Sequence, residues 1–277
     1  YRYDYFTANC STRVRDALDR ALGGTLQRAL SSPSKGYTYR LHADALMAPD
    51  LVLMLGMDLG LGPFADRRLS YWDESFVPME LMRHLRGVRV SDGDGHEAPL
   101  VSAESVLAAA RLPEPPVLPP DLRGPFLVSG IAIAALLLAL RRHPQRRSAC
   151  RLFAAFATVY LLACGLGGLL LAALWKLTEH QAAWRNGNLL LLDPLCLLLV
   201  PAFARAARTD WHPGRAAIVL TRLTALGAFT ALAVKVLPGF PQANGHWIAL
   251  LLPIHLALLV ALERTRPVAA GRVVETG

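Results

Sequence analysis

Cys10 stands in the stretch YDYFTANCSTRVRDALDRALGG, residues 3–24, immediately ahead of a helical pattern. A thiol at the first turn of a helix meets unpaired N–H groups and the positive end of the helix dipole. Both favour the thiolate, the form that attacks acyl carbonyls. The competing reading is a small buried hydrophobe, because free cysteine is among the most buried residue types. A cysteine nucleophile also needs a base, and the histidines on offer are His42, His84, His96, His180 and His246. A second constellation lies in KLTEHQAAWRNGNLLLLDPL, residues 176–195, where Glu179, His180, Asn186 and Asn188 precede Asp193 inside an apolar run. An acid in such a run is costly enough to be a site hypothesis, although a loop capping two helices, with Trp184 at headgroup level, would also look like this. The glycine run GMDLGLG lacks the Gly-Lys-Ser/Thr ending of a phosphate loop. Neither a cofactor nor a metal is expected.

These residues must be positioned by the elements around them. From Thr12 onward, Val14, Ala17, Leu18, Ala21 and Leu22 recur at i, i+3, i+4, i+7, i+8, which predicts a helix with that face buried and Cys10 at its N-terminal end. Asn9, Ser11 and Thr12 are competent N-caps, Gly23-Gly24 supplies the stop, and Arg15–Asp19 and Asp16–Arg20 are expected as exposed i,i+4 pairs. After the break SSPSKG, a helix is expected through SFVPMELMRHLRGV with His84 on its surface. A hairpin is expected in VRVSDGDGHEAPLV, with its turn at Asp92-Gly93-Asp94-Gly95. Residues 1–111 thus read as a small α+β domain. The stretch 112–125, LPEPPVLPPDLRGP, holds six prolines and reads as a semi-rigid extended stalk.

The rest is apolar. Residues 1–124 carry 14 Lys+Arg against 16 Asp+Glu and residues 125–277 carry 15 against 5, so the formal charge of +8 lies wholly in the second part. Five membrane spans are expected there, at 124–140, 152–175, 188–204, 216–238 and 247–262, within a helical membrane domain of residues 126–264. Arg222 and Lys235 in the fourth must reach its ends. The loops after the first, third and fifth spans hold five, three and three Arg, against Lys176 and Arg185 in the alternate loops. That asymmetry puts the N-terminal domain outside and the tail, 265–277, in the cytoplasm. Arginines placed this way orient a membrane protein, so nucleic-acid binding is excluded from the reading. Export of 120 polar residues needs a leader that the chain does not show at Tyr1, so a longer protein is expected.

In this orientation Cys164 and Cys196 fall within spans and Cys150 faces the cytoplasm, so Cys10 has no disulfide partner outside. A lone thiol in an oxidising compartment favours the nucleophile.

Three segments in order, YRYDYFTANCSTRVRDALD at 1–19, GMDLGLGPFADRR with SFVPMEL at 56–81, and KLTEHQAAWRNGNLLLLDPL at 176–195, resemble bacterial membrane proteins with an Lnb-type N-terminal periplasmic domain, associated with lipoprotein N-acylation. The resemblance implies a permuted papain/NlpC-like fold, in which a Gly-His strand precedes the cysteine helix. It implies Cys10 as the acyl-accepting nucleophile and Asn9 in an oxyanion or positioning role. Beside the resemblance, the residues themselves offer His180 as a candidate base or lipid-site residue, and Arg13, Glu179, Asn186, Asn188 and Asp193 as candidate substrate contacts. Only Tyr1 to Asn9 precede Cys10, so the histidine strand, and with it the complete fold, is not expected within this chain. The implied function is an inner-membrane acyltransferase acting on phospholipid and lipoprotein. A membrane-tethered cysteine peptidase or amidase would not need His180, Asn186, Asn188 and Asp193, and in a non-catalytic assembly module Cys10 would only pack.

Overall fold

The computed structural model describes residues 2–91, 95–111, 113–237 and 239–265. The chain divides into two units, one made of residues up to Pro120 together with His180–Ala182, the other of Asp121–Glu179 and the chain from Ala183 onward.

In the first unit, helices α1 (Cys10–Ala21) and α2 (Thr25–Leu30) are separated by Gly23 and Gly24, both at positive φ, the conformation a side chain resists. Strand β1 (Pro33–Thr38) leads into α3 (Tyr39–Met47), N-capped by the Thr38 hydroxyl, and then α4 (Leu51–Gly60), N-capped by Asp50. Strand β2 (Arg68–Ser70) pairs antiparallel with β1 and runs into the single turn α5 (Tyr71–Glu74). Helix α6 (Pro78–Leu85) begins on proline, whose missing N–H costs nothing at a first turn. Strands β3 (Arg89–Ser91) and β4 (Glu97–Pro99) form the expected antiparallel hairpin in the register Val90↔Ala98; of its turn, residues 92–94 lie outside the described residues. Phe6, Tyr39, Phe76 and Leu69 form the main core, with Ala182 buried among them and its carbonyl accepting from Gly62 N–H at 2.6 Å.

The buried face of α1 differs from the one its apolar periodicity predicts. Ser11, Thr12 and Arg15 are buried, while Cys10, Val14, Ala17 and Ala21 are exposed and Leu18 and Leu22 half-buried. The Ser11 hydroxyl donates to Ser75 O at 2.7 Å; Arg15 donates to Trp72 O at 2.8 Å and stacks on the Trp72 ring at 3.9 Å. These contacts satisfy carbonyls at the end of α5, and two alanines and a valine offer less in return. The expected Arg15–Asp19 pair gives way to Arg15–Asp16, and Asp19 accepts from Gln27 N–H.

Among the described residues of the second unit, four helices are long and apolar enough to cross a membrane: α7 (Arg123–Arg141), α8 (Arg147–Leu177), α10 (Arg215–Ala233, extended by a 3₁₀ turn to Val236) and α11 (Gly245–Glu263); the short α9 (Cys196–Ala204) lies between α8 and α10. They match the first, second, fourth and fifth expected spans within a few residues. The third is not one continuous helix. A 3₁₀ turn at Gly187–Leu190, an irregular stretch through Asp193-Pro194 and α9 (Cys196–Ala204) replace it. Proline lacks an N–H and disfavours helix at the residue before it. At ~1.5 Å per residue, α9 covers about 14 Å, well short of a ~30 Å core. Helix α7 packs on α11, and α8 on α9. Arg222 lies a third of the way into α10 and pairs with Glu263 at 2.6 Å, while Lys235 Nζ donates to Gln242 O.

Candidate functional site

The turn before α1 presents the thiol. Asp4 Oδ1 accepts from the N–H groups of Phe6 (3.0 Å) and Thr7 (2.7 Å), and Asp4 and Ala8 exchange backbone hydrogen bonds at 3.1 Å. The closed turn drops Phe6 into the core and delivers Asn9 as N-cap. Asn9 Oδ1 accepts from Thr12 N–H (2.9 Å) while the Thr12 hydroxyl accepts from Asn9 N–H (2.9 Å), a reciprocal capping box. Asn9 Nδ2 donates to Tyr5 O at 3.0 Å and Phe76 O at 2.9 Å. Both amide hydrogens are therefore engaged, and the side chain fixes the turn on the core. Cys10 follows as the first helical residue, exposed and reduced.

The thiol borders an apolar groove of about 540 Å³, walled by Val14, Leu81, Met82, Leu85 and Val101, with the Arg86–Glu104 ion pair among its lining residues. The groove uses the small apolar face of α1 that the core leaves uncovered. Arg13 is exposed on the same first turn.

The histidines of this unit divide by burial. His180 is exposed. His42 is buried and His84 half-buried, and both turn Nε2 toward Glu74, at 3.5 and 3.4 Å. His84, expected on the surface, has a side chain only 11% exposed, because α6 turns it under Tyr71, whose ring centroid lies 5.0 Å away. Burial raises the Glu74 carboxyl, but the facing His42, His84 and Ser34 groups outweigh it and hold it down to about 2. The remaining buried charges anchor α3. Arg40 bonds Asp58 at 2.6 Å, Asp66 at 2.8 Å and the carbonyls of Asp58 and Leu61.

The other expected site residues belong to the membrane unit. Glu179 is exposed after α8. Asn186 and Asn188, 2% and 0% exposed, are brought together with Gln242 and Asn244: Gln242 Nε2 donates to Asn186 Oδ1 (2.8 Å), Asn244 Nδ2 to Asn188 Oδ1 (2.7 Å), and Gly187 N–H to Gln242 Oε1 (2.7 Å). Asp193 Oδ1 accepts from Leu195 N–H at 2.9 Å, ahead of α9, and His255 Nε2 lies 2.9 Å from Leu191 O. These bonds supply the partners that irregular backbone needs inside a helical membrane unit. Gln242, Asn244 and His255 are missed by sequence reasoning; a polar cluster, PQANGH, flanking an apolar span is the signal available.

The family model described as the Lnb transmembrane domain matches residues 121–262. No curated protein and no solved structure matches the chain.

Proposed function

The chain belongs to the Lnb transmembrane-domain family, and on that premise we propose that it is a cysteine-dependent acyltransferase of the bacterial inner membrane, with its N-terminal unit in the periplasm and its C-terminus in the cytoplasm. The observation that carries the reading is an exposed thiol on the first turn of a capped helix, bordering an apolar groove, in a chain whose other unit is a membrane domain. In the reaction proposed, the Cys10 thiolate attacks a phospholipid ester carbonyl. The tetrahedral intermediate expels the lysophospholipid alkoxide, which takes up a proton, and a thioester remains. The α-amino group at a lipoprotein's lipidated N-terminus then attacks the thioester, the amide forms, and the thiolate leaves.

The apolar groove walls support the acyl-chain assignment, and the oxyanion is assigned to N–H groups of the first turn of α1. Asn9 acts here by positioning, since its amide is engaged with Tyr5 and Phe76. Proton transfer falls to a histidine, either one in the Gly-His strand of the permuted papain-like fold that the resemblance implies, or His180. Arg13 is assigned to substrate phosphate. Glu179, Asn186, Asn188 and Asp193 are assigned to the lipid-handling part of the membrane unit. Cys10→Ala in the protein as its cell makes it tests the proposal: lipoprotein N-acylation is expected to stop while the protein level holds. Undiminished N-acylation refutes it. Loss of the protein itself, rather than its activity, would favour a packing role for Cys10.

A further inference from the structure

We propose that Glu74, Glu80 and His84 form a binding site for a first-row divalent cation of the zinc type, with His42 orienting Glu74 from its second oxygen. Glu80 and His84 lie one turn apart on α6, so their side chains share a face. Glu74 ends α5 four residues before Pro78 starts α6 and returns its carboxylate over that face. One ligand atom from each of the three lies within 4.8 Å of the others.

The contacts within the cluster are ion pairs at long range. Glu74 is 2% exposed and His42 9%, yet no hydrogen bond reaches Glu74 Oε1, His84 Nε2 or His42 Nε2. The separations explain why the groups do not satisfy one another. His84 Nε2 to Glu74 Oε2 is 3.4 Å and His42 Nε2 to Glu74 Oε1 is 3.5 Å, beyond the ~2.9–3.0 Å of a well-formed N–H···O bond. Ligands held about 2.0–2.2 Å from a tetrahedral zinc ion stand about 3.3–3.6 Å apart, which fits the His84–Glu74 separation. His42, against a tilted Tyr37 ring (4.9 Å) and edge-on to Phe76 (5.9 Å), sits where an outer hydrogen-bond donor to a ligating carboxylate is usually found.

A cavity of about 160 Å³, lined by His42, Glu80 and Arg83 among others, adjoins the cluster on the Glu80 side. The Glu80–Arg83 ion pair, with Arg83 61% exposed, is of the weak surface kind that a cation displaces. One imidazole nitrogen with two carboxylates suits zinc-like ions better than magnesium or calcium, which take oxygen alone.

The test uses the whole chain purified in detergent without a histidine tag, stripped with chelator and titrated with Co²⁺ alone. Visible absorption is followed first, and Zn²⁺ is then added to displace the cobalt. One equivalent of Co²⁺ is expected to give ligand-field bands that Zn²⁺ abolishes. Zn²⁺, but not Mg²⁺, is expected to raise Tm. Glu80→Gln, at a partly exposed position where folding is not at stake, is expected to weaken binding at least tenfold, as is His84→Ala if its circular dichroism matches wild type. His42→Gln is expected to weaken it by a smaller factor. Folded wild-type chain with no cobalt spectrum and no zinc-dependent Tm shift overturns the proposal, and so does Glu80→Gln binding as tightly as wild type.

Discussion

Arg40 sets one guanidinium among three buried carboxyls, Asp44, Asp58 and Asp66. Asp58 and Asp66 take its N–H groups, and Asp44 is left over. Burial, then the Asp58 carboxylate, pushes Asp44 up to about 8 from its ordinary 3.8. A raised folded value means that the folded state keeps a proton the unfolded state has lost. The stabilisation is therefore complete below about pH 4 and is lost as pH rises through about 8, by at most ~1.4 kcal/mol per pH unit. Asp44→Asn keeps a neutral donor toward Asp58, so its Tm advantage over wild type is expected to grow from pH 5 to pH 8. Parallel pH profiles for the two proteins would contradict this. Asn9 is the other residue with a large stability role. Its alanine variant loses the cap and the bonds to Tyr5 O and Phe76 O, and is expected to be destabilised by about 1–3 kcal/mol in denaturant unfolding of the N-terminal unit. An unchanged midpoint would show that the turn holds without it.

Helix α8 carries the glycines that admit the broken segment before α9. A methyl at Gly168 would lie 1.9 Å from Leu192 O, a backbone atom, whereas at Gly167 it would meet only the Leu192 side chain at 3.3 Å. Gly168→Ala is expected to cost about 1–3 kcal/mol or more and to lower the Tm of the purified protein, with Gly167→Ala close to wild type. Equal tolerance of the two would mean that the segment does not pack on α8 as described. Helices α7, α8, α10 and α11 are legible in hydropathy because their apolar runs are long enough to absorb Arg222 in α10 and Pro253 in α11. The segment at 188–204 is equally apolar, but hydropathy does not register the helix-breaking effect of Asp193-Pro194. In α1, periodicity identifies the helix and Asn9 the cap. The buried face escapes it, because Ser75 O and Trp72 O, which recruit Ser11 and Arg15, lie about sixty residues away. Distance in sequence also hides the Glu74 cluster. Glu80 and His84 at i,i+4 are readable, whereas the positions of His42 and Glu74 beside them depend on how α3 and α5 pack.

The whole molecule joins a nearly neutral N-terminal unit to a basic, apolar one, and the proposed orientation of the second rests on the arginine asymmetry of its loops. A topology reporter active only outside the cytoplasm is expected to be active when inserted between Pro241 and Gly245. It should be inactive when inserted between Arg142 and Arg146; the reverse pattern would invert the proposed placement of Cys10. The membrane domain, the exposed thiol and its groove together make one chemical claim, that Cys10 carries an acyl group in turnover. Intact mass measurement of the natural full-length protein, incubated with phospholipid but no amine acceptor, tests it most directly. The account predicts a single fatty-acyl adduct mapped to Cys10, released by neutral hydroxylamine and absent in Cys10→Ala. An adduct that persists in Cys10→Ala, or wild-type protein that N-acylates lipoprotein yet never carries an acyl group on Cys10, would contradict it.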